Sequence, residues 1–163
     1  MKSFDTLIVG AGLLGSSTAF HLARLGAKNI AVIDADLAGR LSSSELNAGG
    51  ARATWDHSLN VQLAKDSIDF MRQHTDKSGY RDCGYLWMFN REQWNGALDR
   101  VKFLKAKHGI DVEVLDVPAL RAKTHFIDKT DDLAGATFSP KDGLFNPNIL
   151  KTYFRDEAKR MGV

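Results

Sequence analysis

Gly10, Gly12 and Gly15, followed by a carboxylate at Asp34, are the residues whose types and spacing could do chemistry. Gly10-x-Gly12-x-x-Gly15 has the form of a turn that brings backbone N–H groups up to a phosphate. Gly10 permits a tight exit from a strand, and Gly12 leaves no side chain in the path of a pyrophosphate. Gly15 lets a helix pack close to the strands. The N-terminus of that helix offers N–H groups and a partial positive charge to an anion. Asp34 follows Gly15 by about 20 residues, the spacing of a carboxylate that binds a ribose 2′-hydroxyl. The same charge would repel a 2′-phosphate, which argues against NADP.

These groups need a frame, and the flanking residues predict one. Leu7-Ile8-Val9 is apolar and β-branched, as expected of a buried parallel strand, and runs straight into the glycines. A helical pattern follows, with Leu14, Ala19, Leu22 and Ala23 expected on one face and Gly26 as its stop. Ile30-Ala31-Val32-Ile33 reads as a second strand ending at Asp34. An ordinary Gly-rich turn could supply the glycines, and a solvated strand end could supply the acid. Strand, turn, helix and acid in one βαβ unit are together a specific signal.

A second stretch, Ala38-Gly39-Arg40-Leu41-Ser42-Ser43-Ser44-Glu45-Leu46-Asn47-Ala48-Gly49-Gly50-Ala51-Arg52, is rich in small residues and hydroxyls. Such a backbone can lie against a ligand and donate N–H bonds, although a surface linker has the same composition. Its position decides, because it starts where the mouth of a nucleotide site should be. Arg52 follows the Gly49-Gly50 pair directly. A guanidinium there could bind a substrate carboxylate in bidentate fashion or stabilise a reduced, anionic flavin. A surface arginine or a structural ion pair accounts for it equally well.

The whole chain narrows the class. It has 163 residues, 44% hydrophobic and 26% charged, which suits a globular protein with an ordinary core. A formal charge of +2 with no Lys/Arg run gives no nucleic-acid signal. Cys83 is the only cysteine, so no internal disulfide forms and a reducing compartment is the simpler expectation. No signal peptide and no run of membrane-spanning length is evident, so the expected location is cytoplasmic. The histidines, His21, His57, His74, His108 and His125, are scattered without helical i, i+4 partners, so no metal site is expected.

Further along, residues 59–73 are expected to be helical, with Leu59, Leu63, Ile68, Phe70 and Met71 as the apolar stripe, and residues 74–81 to form a polar turn. Gly84-Tyr85-Leu86-Trp87-Met88-Phe89 reads as a strand whose aromatics are more often sheet packing than a substrate box. Residues 91–108 predict a helix ending near Gly109, residues 112–115 a strand, and Pro118 the first turn of a short helix to about Lys123. Residues 133–138 predict a strand and Ser139-Pro140-Lys141-Asp142-Gly143 a turn. Asn146-Pro147 caps a last helix through Met161. That helix closes Arg160-Met161-Gly162-Val163, as the first closes Arg24-Leu25-Gly26-Ala27 before a strand. A strand is therefore owed, and the chain is expected to be the N-terminal part of a longer protein or a truncated product of one, ahead of a compact domain that ends on its own C-cap.

The glycine unit with Asp34, the segment Ser44-x-x-Asn47-Ala48-Gly49-Gly50-x-Arg52, and Asp142-Gly143-Leu144-Phe145-Asn146-Pro147 together resemble the D-amino-acid-oxidase-like superfamily of FAD-dependent oxidoreductases. The likeness is strongest to its sarcosine oxidase and dimethylglycine dehydrogenase branch. It implies an α/β fold class: a Rossmann-like FAD-binding unit of the glutathione-reductase type with the start of an α+β substrate domain, as a truncated part of a larger fold. Residues 1–80 would be the FAD-binding segment, 81–140 part of the substrate domain, and 141–163 an incomplete return to the FAD-binding domain.

The resemblance also implies roles. Gly10, Gly12, Leu13, Leu14, Gly15, Asp34 and Ala35 would hold ADP. Ser43, Ser44, Asn47, Gly49 and Gly50 would face pyrophosphate and flavin, with Arg52 on the substrate side. The family's chemistry is oxidation of the C–H next to nitrogen in an amino acid or N-methyl amine, by hydride transfer to flavin. Partners would be a small amine or amino-acid substrate and further segments or subunits that complete the fold, with no nucleic acid. Three alternatives stand beside it. The loop and Asn60-x-Gln62-Leu63 also resemble a branch implicated in respiratory complex assembly, which implies a non-catalytic FAD-binding scaffold. An NAD-dependent Rossmann enzyme is the second, though no third strand follows promptly, and a degenerate truncated product without function is the third.

Overall fold

A computed structural model of the protein describes residues 3–37 and 42–163. Residues 38–41, the first part of the Gly/Ser stretch, lie outside the described residues. The described chain divides into two compact units, taken in turn. The first comprises residues up to Gly50, Met71–Tyr80 and Phe145–Val163, and the second Ala51–Phe70 and Arg81–Leu144.

The first unit opens with strand β1 (Thr6–Val9), helix α1 (Leu13–Arg24) and strand β2 (Ile30–Ile33). The two strands pair in parallel, Thr6 opposite Ile30 and Val9 opposite Ile33. Gly10 leaves β1 with φ +105°, a conformation open to glycine at little strain. A Cβ on Gly15 would lie 1.8 Å from the Gly10 carbonyl oxygen, so only glycine lets α1 start this close to the turn. Here the expected inward face of α1 is corrected at one residue. Leu14 is 85% exposed, whereas Ala19 is buried as expected and Ser16 and Phe20 are buried with it. The buried row runs i, i+3, i+4, and Leu14 lies off it.

What covers that row comes from the far end of the chain. Asn146 accepts N–H bonds from Asn148 and Ile149 at 3.0 and 3.2 Å and starts helix α6 (Pro147–Arg160). Its Leu150, Phe154 and Ala158 are buried, and the Phe20 and Phe154 rings lie 5.1 Å apart. Between these parts, residues 74–81, expected as a polar turn, contain a single helical turn, α3 (Thr75–Ser78). It forms because the buried Ser78 hydroxyl donates to the carbonyls of Met71 and His74, and Gly79 closes the turn with φ +63°.

The second unit is built on an antiparallel sheet ordered β5-β7-β6, made of β5 (Tyr85–Asn90), β6 (Glu113–Leu115) and β7 (Leu133–Ser139). A short ribbon pairs β4 (Arg81–Asp82) with β8 (Gly143–Leu144); β3 (Gly50–Ala51) flanks β8. Helix α4 (Arg91–His108) starts with a capping box between Asn90 and Gln93 and ends at Gly109, φ +63°. Helix α5 (Val117–Lys123) is capped by Asp116, and its buried Leu120 meets Leu115 and Ala136 in the core. Helix α2 (Ser58–Gln73) keeps part of its expected stripe. Ile68 and Met71 are buried as expected, but Leu59 and Leu63 are 59% and 58% exposed and Val61 is buried instead of them. Position 61 begins a row at heptad-like spacing that excludes 59 and 63.

Candidate cofactor-binding site

The N-terminus of α1 is left open by its own sequence. Gly12 supplies no side-chain cap, and the first turn holds no acidic residue. Its positive end is therefore not neutralised from within the helix. Residues 42–46 form a tight turn in which the Glu45 and Leu46 N–H groups both donate to the Ser42 carbonyl. That turn brings hydroxyls to the glycines. The Ser44 Oγ accepts from the Leu13 N–H at 3.0 Å, and a Cβ placed on Gly12 would lie 3.6 Å from both Ser42 Oγ and Ser44 Oγ. Ser42 thus joins Ser44 beside Gly12, a role that the resemblance does not imply for it, whereas Ser43 is exposed.

Asp34 sits at the end of β2 and is already engaged. One carboxylate oxygen accepts the Ala11 N–H and the other the Asp36 N–H at 2.7 Å. The bond from Ala11, then that from Asp36, holds the carboxyl below its ordinary range, so it is charged at neutral pH. In this arrangement Asp34 also braces the glycine turn, and its remaining lone pairs are the ones a ribose hydroxyl would meet. Ala35 beside it is exposed.

The downstream part of the loop is held by the Asn47 side chain and by Phe145. The exposed Asn47 accepts the Gly49 N–H through Oδ1 at 2.6 Å. Gly49 has φ +77°, and its Cβ would fall 1.9 Å from the Phe145 carbonyl oxygen, so no other residue fits. Its carbonyl accepts the Phe145 N–H at 2.9 Å, and Gly50 then enters β3. Among residues missed from the sequence, Glu45 and Lys151 are foremost. Lys151 Nζ on α6 donates to Glu45, which also accepts from the Ser42 hydroxyl. The two side chains are only 5% and 10% exposed. The ammonium first, and the hydroxyl second, hold the Glu45 carboxyl well below the usual carboxylate range.

Arg52 lies in the second unit, where two of the β5 aromatics surround it in addition to packing on their sheet. Tyr85 and Trp87, two apart on β5 and so on one face, gather about Arg52 with Trp55. The guanidinium carbon stands 4.9, 5.1 and 5.2 Å from the Trp55, Tyr85 and Trp87 ring centroids. One terminal nitrogen donates to the Tyr85 hydroxyl at 3.4 Å, and the buried Nε has no hydrogen-bond partner among the described residues. Trp55 Nε1 donates back to the Arg52 carbonyl at 2.9 Å. Alternation of aromatics along β5 was the available signal, but nothing local pointed them at a residue 33 positions away.

The residues present suit the pyrophosphate of a dinucleotide: a helix N-terminus without a cap or acid of its own, a glycine beneath it, and two serine hydroxyls converging on that glycine. Comparison with known proteins agrees. The chain is 28% identical over 176 residues to "FAD-dependent oxidoreductase domain-containing protein 1" of Xenopus laevis, covering 98% of this chain and 34% of that protein. It is 28% identical over 123 residues to "Probable sarcosine oxidase" of Arabidopsis thaliana, covering 72% of this chain and 28% of that protein. In fold it matches L-proline dehydrogenase from P.horikoshii with a TM-score of 0.85 at 21% identity, covering 99% of this chain and 43% of that one. The chain thus spans about a third of the length of the curated relatives it matches. The model of the DAO family, FAD dependent oxidoreductases, matches residues 5–163, and the chain belongs to that family.

Proposed function

We propose that the first unit binds the ADP half of FAD, and that the protein oxidises the C–H next to nitrogen in an amino acid or sarcosine-like N-methyl amine. The observation that carries this is the convergence of the Ser42 and Ser44 hydroxyls on Gly12 at a helix N-terminus that has no cap or acid of its own. Gly10, Gly12, Leu13, Leu14 and Gly15 would lie along the pyrophosphate, with Ser44 and Leu13 sharing its oxygens. Asp34, and Ala35 after it, would meet the ribose. Asn47, Gly49 and Gly50 lead the backbone toward the flavin, with the exposed Ser43 at the loop's outer side.

FAD, when bound, would supply the hydride acceptor. The remaining work belongs to side chains. Arg52, stacked among three rings, keeps its planar edges for a substrate carboxylate, which a bidentate guanidinium orients. The rings offer faces to a methylated ammonium and exclude water from its C–H bond. The plant relative named a probable sarcosine oxidase supports this substrate class. On this reading the second unit is the beginning of the substrate domain, and its exposed, unpaired Cys83 fits a reducing compartment such as the cytoplasm.

The test is anaerobic titration of the FAD-loaded protein with sarcosine and with the same amine lacking its carboxylate. Sarcosine should bleach the flavin band, and Arg52→Gln should raise the half-saturating concentration about tenfold or more. Bleaching that is indifferent to both the carboxylate and Arg52 would refute the assigned role.

A further inference from the structure

Three contacts from one segment converge on the proposed cofactor loop. Arg155 donates to the Leu37 carbonyl at 3.3 Å, and Lys151 donates to Glu45. Phe145 donates to the Gly49 carbonyl at 2.9 Å. Lys151 and Arg155 are four residues apart on α6 and so share a face. They hold the chain on either side of residues 38–41, and Phe145 holds its far end. Lys151 is 4% exposed, a position in which an ammonium is retained only with a partner.

The load passes to the glycines through the 42–46 turn. Glu45 takes the ammonium on one side and the Ser42 hydroxyl on the other. Ser44, the residue before it, reaches the Leu13 N–H. Fixing Glu45 therefore fixes both hydroxyls relative to Gly12. Resting on the cofactor reading above, we propose that Lys151, seconded by Arg155, is a positioning residue. It sets the Ser42 and Ser44 hydroxyls at the α1 N-terminus before the cofactor arrives, so that binding need not order the loop.

The test is amide hydrogen exchange, read residue by residue on the cofactor-free protein, followed by FAD titration. Lys151→Met alone strands a buried carboxylate and could unfold the unit, so the principal variant is Glu45→Gln with Lys151→Met, which removes both charges of the pair. The staple predicts faster exchange at Leu13 and across residues 42–49 in that variant, with the interior of α1 and the β1–β2 pair still protected. It also predicts about tenfold weaker FAD binding at a temperature far below unfolding, as when ordering energy must be supplied on binding. A role confined to global stability would lower the denaturation midpoint while leaving Leu13 exchange and FAD affinity as they were, and that result overturns the proposal. If the unaltered protein takes up no FAD, the cofactor reading fails, and the exchange arm still decides whether Lys151 positions the serines.

Discussion

Gly12 and Gly15 are small for different reasons, and the difference can be measured. A methyl group at Gly15 would strike the Gly10 backbone at 1.8 Å, where nothing flexible can yield. Gly15→Ala should therefore destabilise the first unit at or above the upper end of the about 1–3 kcal/mol typical of overpacking, read as a lower urea midpoint. At Gly12 the same methyl would sit 3.6 Å from two hydroxyls, an ordinary contact. Gly12→Ala should fold normally, with a midpoint within about 0.5 kcal/mol of the parent, yet obstruct a pyrophosphate. Arg52 presents the complementary case, a charge held by ring faces. Arg52→Gln should lose about 0.5–2 kcal/mol in stability of the second unit, because the cation–π contacts with Trp55, Tyr85 and Trp87 vanish while the site stays polar.

At the scale of elements, α6 links the two ends of the chain. Its N-cap is exposed to a simple test: Asn146→Ala should cost about 1 kcal/mol of stability, read by thermal or urea unfolding. The Glu45–Lys151 pair gives a pH signature. The folded carboxyl lies below its ordinary 4.5, at about 2, so its contribution is present above pH 4.5 and is lost as pH falls toward 2. Over that window the parent's urea midpoint should drop relative to the Glu45→Gln/Lys151→Met variant, and the gap should be flat above it. Elements whose start and stop are written locally were legible in the sequence. Ile30–Ile33 and Arg91–His108 have the expected bounds, because β-branched runs, the Asn90 cap and Gly109 act over a few residues. Which face of a helix is buried was not legible for Leu14, Leu59 or Leu63, since that depends on partners distant in sequence. The same limit hid Lys151, which meets Glu45 across 106 residues, and the rings that surround Arg52.

For the molecule as a whole, the parallel pair β1–β2 is unusual in carrying a bare apolar face. Leu7, Val9 and Ile33 are 56%, 79% and 49% exposed, although parallel strands are ordinarily covered on both faces. That surface should bind a hydrophobic dye such as ANS, and Leu7→Thr with Val9→Thr should reduce the fluorescence by roughly half or more while the unit stays folded. No helix among the described residues is long and apolar enough to cross a membrane. The most direct test of the central claim, that the glycine turn and serine loop form an FAD site, is the visible spectrum of the protein after incubation with FAD and gel filtration. A flavin band that coelutes with the parent protein and is absent from folded Gly12→Ala is the predicted result. A colourless parent, or a Gly12→Ala variant that retains flavin equally well, would contradict it.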